Sequence, residues 1–132
     1  MRGVSEPVCL EVLIADDEAL LRRLMTRVLE ADGHRVQEAT NGDEALAALD
    51  ATPDGIDVVV LDLGMPPHGA LETLERMLAL RPHVGIVLTS GLPPDPSLDG
   101  FISEKRCVFL QKPFAPEALR RAVDHAKPRR VR

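Results

Sequence analysis

Two hydrophobic periods alternate along this chain. Leu10 to Ala15 is an apolar run of strand length, broken only by Glu11 and closed by Asp16-Asp17-Glu18. From Ala19 the spacing changes: Leu20, Leu21, Leu24, Met25, Val28 and Leu29 recur at the intervals of an amphipathic helix. Arg22, Arg23, Arg27 and Glu30 fall on its other face, and Asp32-Gly33 supplies a stop. His34 to Glu38 reads as a weaker strand centred on Val36. About Asp43 to Asp50 reads as a short helix with Ala45, Leu46 and Leu49 inward. Asp57 to Asp62 then carries Val58, Val59, Val60 and Leu61 with no polar alternation, which predicts a strand buried on both faces in a helix-covered parallel sheet. Gly64, Pro66 and Pro67 break the chain directly after it. A helix is expected over Ala70 to Leu80, ended by Arg81-Pro82, and a strand over Val84 to Leu88. Pro93, Pro94, Pro96 and Gly100 leave room for at most a short helix near Ser97 to Glu104. Cys107 to Gln111 is the fifth strand. The last helix begins near Pro116, a favourable first-turn residue, and runs to about Ala126.

Strand and helix alternating five times predict an α/β fold, a doubly wound five-stranded parallel sheet with helices on both faces. One domain over residues 10–126 is expected, with 1–9 a polar lead-in and 127–132 a basic tail. Each polar cluster follows a strand: Asp16-Asp17 the first, Asp62 the third, Thr89-Ser90 the fourth and Lys112 the fifth. Parallel strands end on one edge of their sheet, so these segments converge where open α/β sheets hold ligands.

Composition narrows the partners. The 132 residues are 45% hydrophobic, enough for one compact core, and at 2% aromatic that core must be aliphatic. A formal net charge of -5 argues against general affinity for nucleic acid or anionic membrane. Lys127, Arg129, Arg130 and Arg132 are read as a solvated end, since no recognition helix or β-platform accompanies them. No run nears the roughly 18 apolar residues of a membrane span. Met1 to Leu10 lacks a signal-peptide core, so the expected location is cytoplasmic. Cys9 and Cys107, far apart in sequence, are expected to be buried thiols in a reducing compartment.

Three converging carboxylates repel one another, and oxygen ligands in that number suit a hard cation such as Mg²⁺. An aspartate in such a site is a possible nucleophile that forms an acyl phosphate. Mg²⁺ and the Lys112 ammonium would neutralise phosphoryl oxygens during transfer, and a hydroxyl from Ser90 could bond one in the product.

Ala15-Asp16-Asp17-Glu18, Asp62-Leu63-Gly64-Met65-Pro66, Leu88-Thr89-Ser90-Gly91 and Phe109-Leu110-Gln111-Lys112-Pro113-Phe114, in this order and each at a strand end, resemble the receiver domain of two-component response regulators. The resemblance covers about residues 10–126 and implies a flavodoxin-like fold. It implies that Asp62 accepts a phosphoryl group from a histidine kinase or phosphotransfer protein. Asp16, Asp17, Asp62 and the backbone carbonyl of Gly64 would hold Mg²⁺, Lys112 would pair with the phosphoryl group, and Phe109 would be the aromatic switch. Ser90, followed by the small Gly91, fits the family's hydroxyl position better than Thr89, which would point to the opposite face of its strand. The chain departs from the family pattern twice. The Pro66-Pro67-His68-Gly69 segment is one residue short, with His68 read as a solvated loop residue, and the Pro-rich stretch 92–100 stands where the family's fourth helix lies. The resemblance implies a stand-alone regulator or a hybrid-kinase receiver with an unknown downstream protein partner, and no enzyme beyond its own phosphorylation and dephosphorylation. Two alternatives remain at this level: an aspartate-nucleophile phosphohydrolase, against which Gly64 stands where a second aspartate is expected, and a receiver-shaped binding module that is never phosphorylated.

Overall fold

A computed structural model describes residues 9–52, 55–65, 69–104 and 107–128. Residues 1–8 of the lead-in, Pro66-Pro67-His68 and the tail from Arg129 lie outside the described residues. The elements are β1 (Glu11–Ala15), α1 (Ala19–Ala31), β2 (Arg35–Ala39), α2 (Gly42–Ala51), β3 (Val58–Asp62), α3 (Ala70–Leu80), β4 (Gly85–Ser90), α4 (Asp99–Ser103), β5 (Cys107–Gln111) and α5 (Pro116–Ala126). All strand pairs are parallel, in the order β2-β1-β3-β4-β5, the doubly wound sheet expected from the pattern.

Side-chain alternation divides the core into two layers. On one face Leu13, Val59, Leu61, Ile86 and Leu88 pack against Ala45 and Leu49 of α2, Leu74 and Met77 of α3, and Leu98 before α4. On the other face Val12, Ile14, Val58, Val60 and Val87 meet Met25 and Leu29 of α1 and Leu119, Ala122 and Val123 of α5. All of β3 is buried, as its unbroken aliphatic run requires.

Local chemistry fixes the ends of the elements. Asn41 Oδ1 accepts the Glu44 amide at 2.8 Å, and Glu44 Oε1 accepts the Thr40 amide at 2.7 Å, a reciprocal cap that starts α2. After α1, Gly33 turns the chain at φ 95, a conformation that excludes most side chains, while His34 N–H closes back on the Leu29 carbonyl. Gly85 serves a different need: a Cβ there would lie 1.8 Å from the Ala126 carbonyl oxygen, so only glycine lets the end of α5 seat on β4.

Several details differ from the sequence reading. β2 is Arg35–Ala39, one residue later than expected, because its ladder with β1 pairs Glu11 with Arg35 and Ala15 with Ala39. β4 reaches two residues further, through Thr89 and Ser90, because the ladder to Leu110 and Gln111 of β5 continues there. Leu20 and Leu24, placed on the apolar face of α1, are 72% and 50% exposed, since Met25 and Leu29, with Leu21 and Val28 partly buried beside them, supply the contacts of α1 to that layer. Cys9, expected to be buried, is exposed just before β1, whereas Cys107 is buried. The segment after β4 holds only a 3-10 turn at Pro96–Leu98 and the five-residue α4.

Candidate phosphoryl-acceptor site

The site grows directly out of the strand register. Ile14 pairs with Val60, and both side chains enter the α1/α5 layer. Two residues further on, Asp16 and Asp62 continue on that face at the ends of β1 and β3, the point where strand order reverses. Leu110 of β5 packs against the same layer, and Lys112 follows it by two residues. Alternation therefore delivers two carboxylates and an ammonium to one corner.

Asp16 is 1% exposed and Asp62 7%, whereas Asp17 is exposed. Carboxylate oxygens of Asp16, Asp17 and Asp62 lie within 4.8 Å of one another. Lys112 Nζ stands 3.2 Å from Asp16 Oδ2, 3.4 Å from Asp62 Oδ2 and 4.0 Å from Glu18 Oε1. The other oxygens of the two buried aspartates accept backbone amides, Asp16 Oδ1 that of Glu18 at 2.8 Å and Asp62 Oδ1 that of Gly64 at 3.0 Å. Lys112 is held in turn by its own amide, which donates to the Ser90 carbonyl at 2.7 Å, and the Lys112–Pro113 peptide is cis.

Burial pushes the Asp62 carboxyl above the usual aspartate range, with the charge of Asp16 adding to the rise. The Gly64 amide and Lys112 oppose that shift without cancelling it. For Lys112, burial works against the ammonium, but Asp62 and Asp16 outweigh it and raise its pKa. Asp16, Asp17 and Asp62, all hard oxygen donors and the first and last of them paired with Lys112, form a donor set that fits Mg²⁺.

The hydroxyls separate by face. Leu88 and Phe109 are register partners in the α2–α3–α4 layer, and Ser90, two residues after Leu88, continues on that side. Ser90 Oγ accepts the Leu92 amide at 3.0 Å. Thr89 falls on the opposite face, fully buried, and its Oγ1 has no hydrogen-bond partner among the described residues. The sequence reading placed Arg22 on the solvent face of α1. Instead its guanidinium reaches the Asp16 carbonyl at 2.8 Å and Glu38 at 2.8 Å. The signal that could have found it is direction, because helical side chains lean toward the helix N-terminus and the Asp16 turn lies there.

With this geometry in place, comparison with known proteins decides the family. Residues 12–124 match the response regulator receiver domain. The chain belongs to that family. Over 104 residues this receiver is 35% identical to a protein-glutamate methylesterase/protein-glutamine glutaminase of Azospirillum brasilense, covering 79% of this chain and 25% of that protein. It is 32% identical over 119 residues to the C4-dicarboxylate transport transcriptional regulatory protein DctD of Rhizobium meliloti, covering 90% of this chain and 25% of that one. This receiver thus spans about a quarter of the length of these two relatives. Among solved structures, a response regulator receiver domain protein from Clostridium thermocellum superposes with a TM-score of 0.76 at 27% identity, covering 89% of this chain and 93% of that one. Among the described residues no helix is long and apolar enough to cross a membrane.

Proposed function

We propose that this receiver, over residues 10–126, is a phosphorylation-driven switch whose acceptor is Asp62. A histidine kinase or histidine phosphotransfer protein would supply the phosphoryl group. The P–N bond to the donor imidazole breaks as a P–O bond forms to an Asp62 carboxylate oxygen. The observation that carries this reading is the convergence of buried Asp62 with Asp16, Asp17 and Lys112 at the β1/β3 switch point.

Asp16, Asp17 and Asp62, with the Gly64 carbonyl, are the residues to hold Mg²⁺, which when bound neutralises phosphoryl oxygens. Lys112, already spanning Asp16 and Asp62, is placed to follow a phosphoryl oxygen on Asp62. Gly64 N–H fixes one Asp62 oxygen and leaves the other toward Lys112, so the attacking atom is defined. Ser90 supplies the hydroxyl that answers the new group, and Phe109, on the same face, repacks with it and alters a protein-interaction surface. The downstream partner is a protein, in keeping with a receiver of net charge -5. We assign no turnover of a separate substrate. The methylesterase and transcriptional activities in the relatives' names belong to those longer proteins.

Intact mass after incubation with Mg²⁺ and a small phosphodonor tests the reading. One phosphoryl adduct on the wild type and none on Asp62→Asn is the expected result. No adduct with any donor would favour an unphosphorylated binding module, and catalytic consumption of the donor would indicate a phosphohydrolase. Once formed, the adduct should be long-lived, because Gly64 and Leu92, each two residues beyond a site residue, have no polar side chain to position water. A half-life of seconds in the purified protein would overturn that expectation.

A further inference from the structure

The backbone of Asp16 is held from outside the acceptor corner. Its amide donates to the Ala39 carbonyl of β2 at 3.1 Å, and its carbonyl accepts Arg22 Nη1 at 2.8 Å. Arg22 Nε donates to Glu38 Oε1 at 2.8 Å, and the second oxygen of Glu38 accepts the Thr26 hydroxyl at 2.8 Å. The Thr26 bond, aided by Arg22 and opposed by burial, holds the Glu38 carboxyl below its usual range. Arg22 is only 12% exposed in its side chain, so this chain of bonds is packed in place along the α1–β2 seam.

The bond to the Asp16 carbonyl fixes the peptide plane between Asp16 and Asp17. The first of these carboxylates is buried and tied by Glu18 N–H and Lys112, and needs no further aiming. Asp17 is exposed and its side chain accepts no hydrogen bond from the described residues, so its direction depends on the backbone it leaves. The charge of Arg22 is already answered by Glu38, which leaves orientation as its contribution at the site. A planar guanidinium reaches both acceptors at once, whereas a lysine ammonium on a flexible stem has no fork to span them.

From the Arg22 fork between the Asp16 carbonyl and Glu38 we infer that Arg22 is a positioning residue for the divalent-cation site, presetting the Asp16–Asp17 turn so that both carboxylates face one ion. The inference rests on the metal reading given above and adds a residue that touches neither the ion nor the phosphoryl group.

Calorimetric Mg²⁺ titration of the unphosphorylated chain tests it, with thermal melts of each variant in parallel. Arg22→Ala and Arg22→Lys should each weaken Mg²⁺ binding by on the order of tenfold, as loss of an outer partner of a metal ligand does. Thr26→Val removes a bond from the far side of Glu38 without touching Asp16. It should lower the melting temperature yet leave the Mg²⁺ affinity within about twofold. A folded Arg22→Lys protein that binds Mg²⁺ as tightly as wild type would reduce Arg22 to a tie between α1 and β2 and overturn the inference. Should Arg22→Ala not fold, Arg22→Lys decides alone. A wild type that binds no Mg²⁺ would overturn the inference and the metal reading together, so the two failures are distinct.

Discussion

At the carboxyl edge of the sheet the two faces are built differently. On the α1/α5 face, Asp16, Asp62 and Lys112 are buried or nearly so, and each makes a backbone hydrogen bond besides their mutual ion pairs. On the α2–α3–α4 face, the Ser90 hydroxyl has one bond among the described residues, from the turn that follows it, Leu92 stands 72% exposed, and α4 has only five residues. Electrostatic strain is thus concentrated on one face and conformational freedom on the other. Such a division suits a switch, because a charge placed on the first face finds its groups already fixed while the second ends in an exposed turn and a short helix. Removing groups from the strained face should therefore produce the larger stability effects.

Lys112→Ala is the largest. It leaves Asp16 and Asp62 buried side by side without their cation, and breaking such a pair from one side costs about 2 kcal/mol or more even with Lys112 partly exposed. The raised Lys112 pKa gives the sign: its stabilising contribution is present below the ordinary lysine range and is lost as pH rises through the elevated folded value. Urea denaturation of both proteins across pH should show a gap that is wide at neutrality and closes at strongly alkaline pH. A gap that is constant with pH would mean the lysine acts by packing alone.

Asp62→Asn should move stability the other way and by less. Its carboxyl titrates above the usual range because the folded state buries it, so the favourable contribution is present below about 3.8, the ordinary value, and is lost as pH rises through the raised folded value. At neutral pH the ionised group therefore opposes folding. The amide variant should be more stable by on the order of 1 kcal/mol, with the gain fading on acidification. Equal stability at neutral pH would show that Lys112 compensates the acceptor fully.

Much of this division was legible in the sequence because it follows from alternation. A buried aliphatic run ending in Asp62 and polar clusters after four strands already pointed to one edge of the sheet, and the sheet order matches the flavodoxin-like expectation. What escaped was anything decided by the reach of a side chain. Arg22 shares a helical face with Arg23 and Arg27 by spacing, yet the Asp16 carbonyl and Glu38 draw it inward. Leu20 and Leu24 look like core by period, but the layer beneath α1 is filled before reaching them. The extension of β4 through Ser90 escaped for a related reason: the ladder to β5 sets that strand's end, and no local residue pattern marks it.

The smallest stability effect falls on the loose face, and it sharpens the comparison most. Among the described residues Ser90 Oγ makes a single bond, from the Leu92 amide at 3.0 Å, so Ser90→Ala should change stability by less than about 0.5 kcal/mol. It should still acquire the phosphoryl group, since Asp62 and its partners lie on the other face. The response should be lost: phosphorylation of the wild type should alter amide hydrogen exchange around Ser90–Leu92 and β5, and the variant should not show the change. Thr89→Val is the matching control, because the Thr89 hydroxyl is fully buried without a partner among the described residues, and removing it should be neutral or slightly stabilising. The control should also keep the exchange response. If instead Thr89→Val silences the response and Ser90→Ala keeps it, the signal leaves through the α1/α5 face, and the acceptor and the answering hydroxyl lie in one layer.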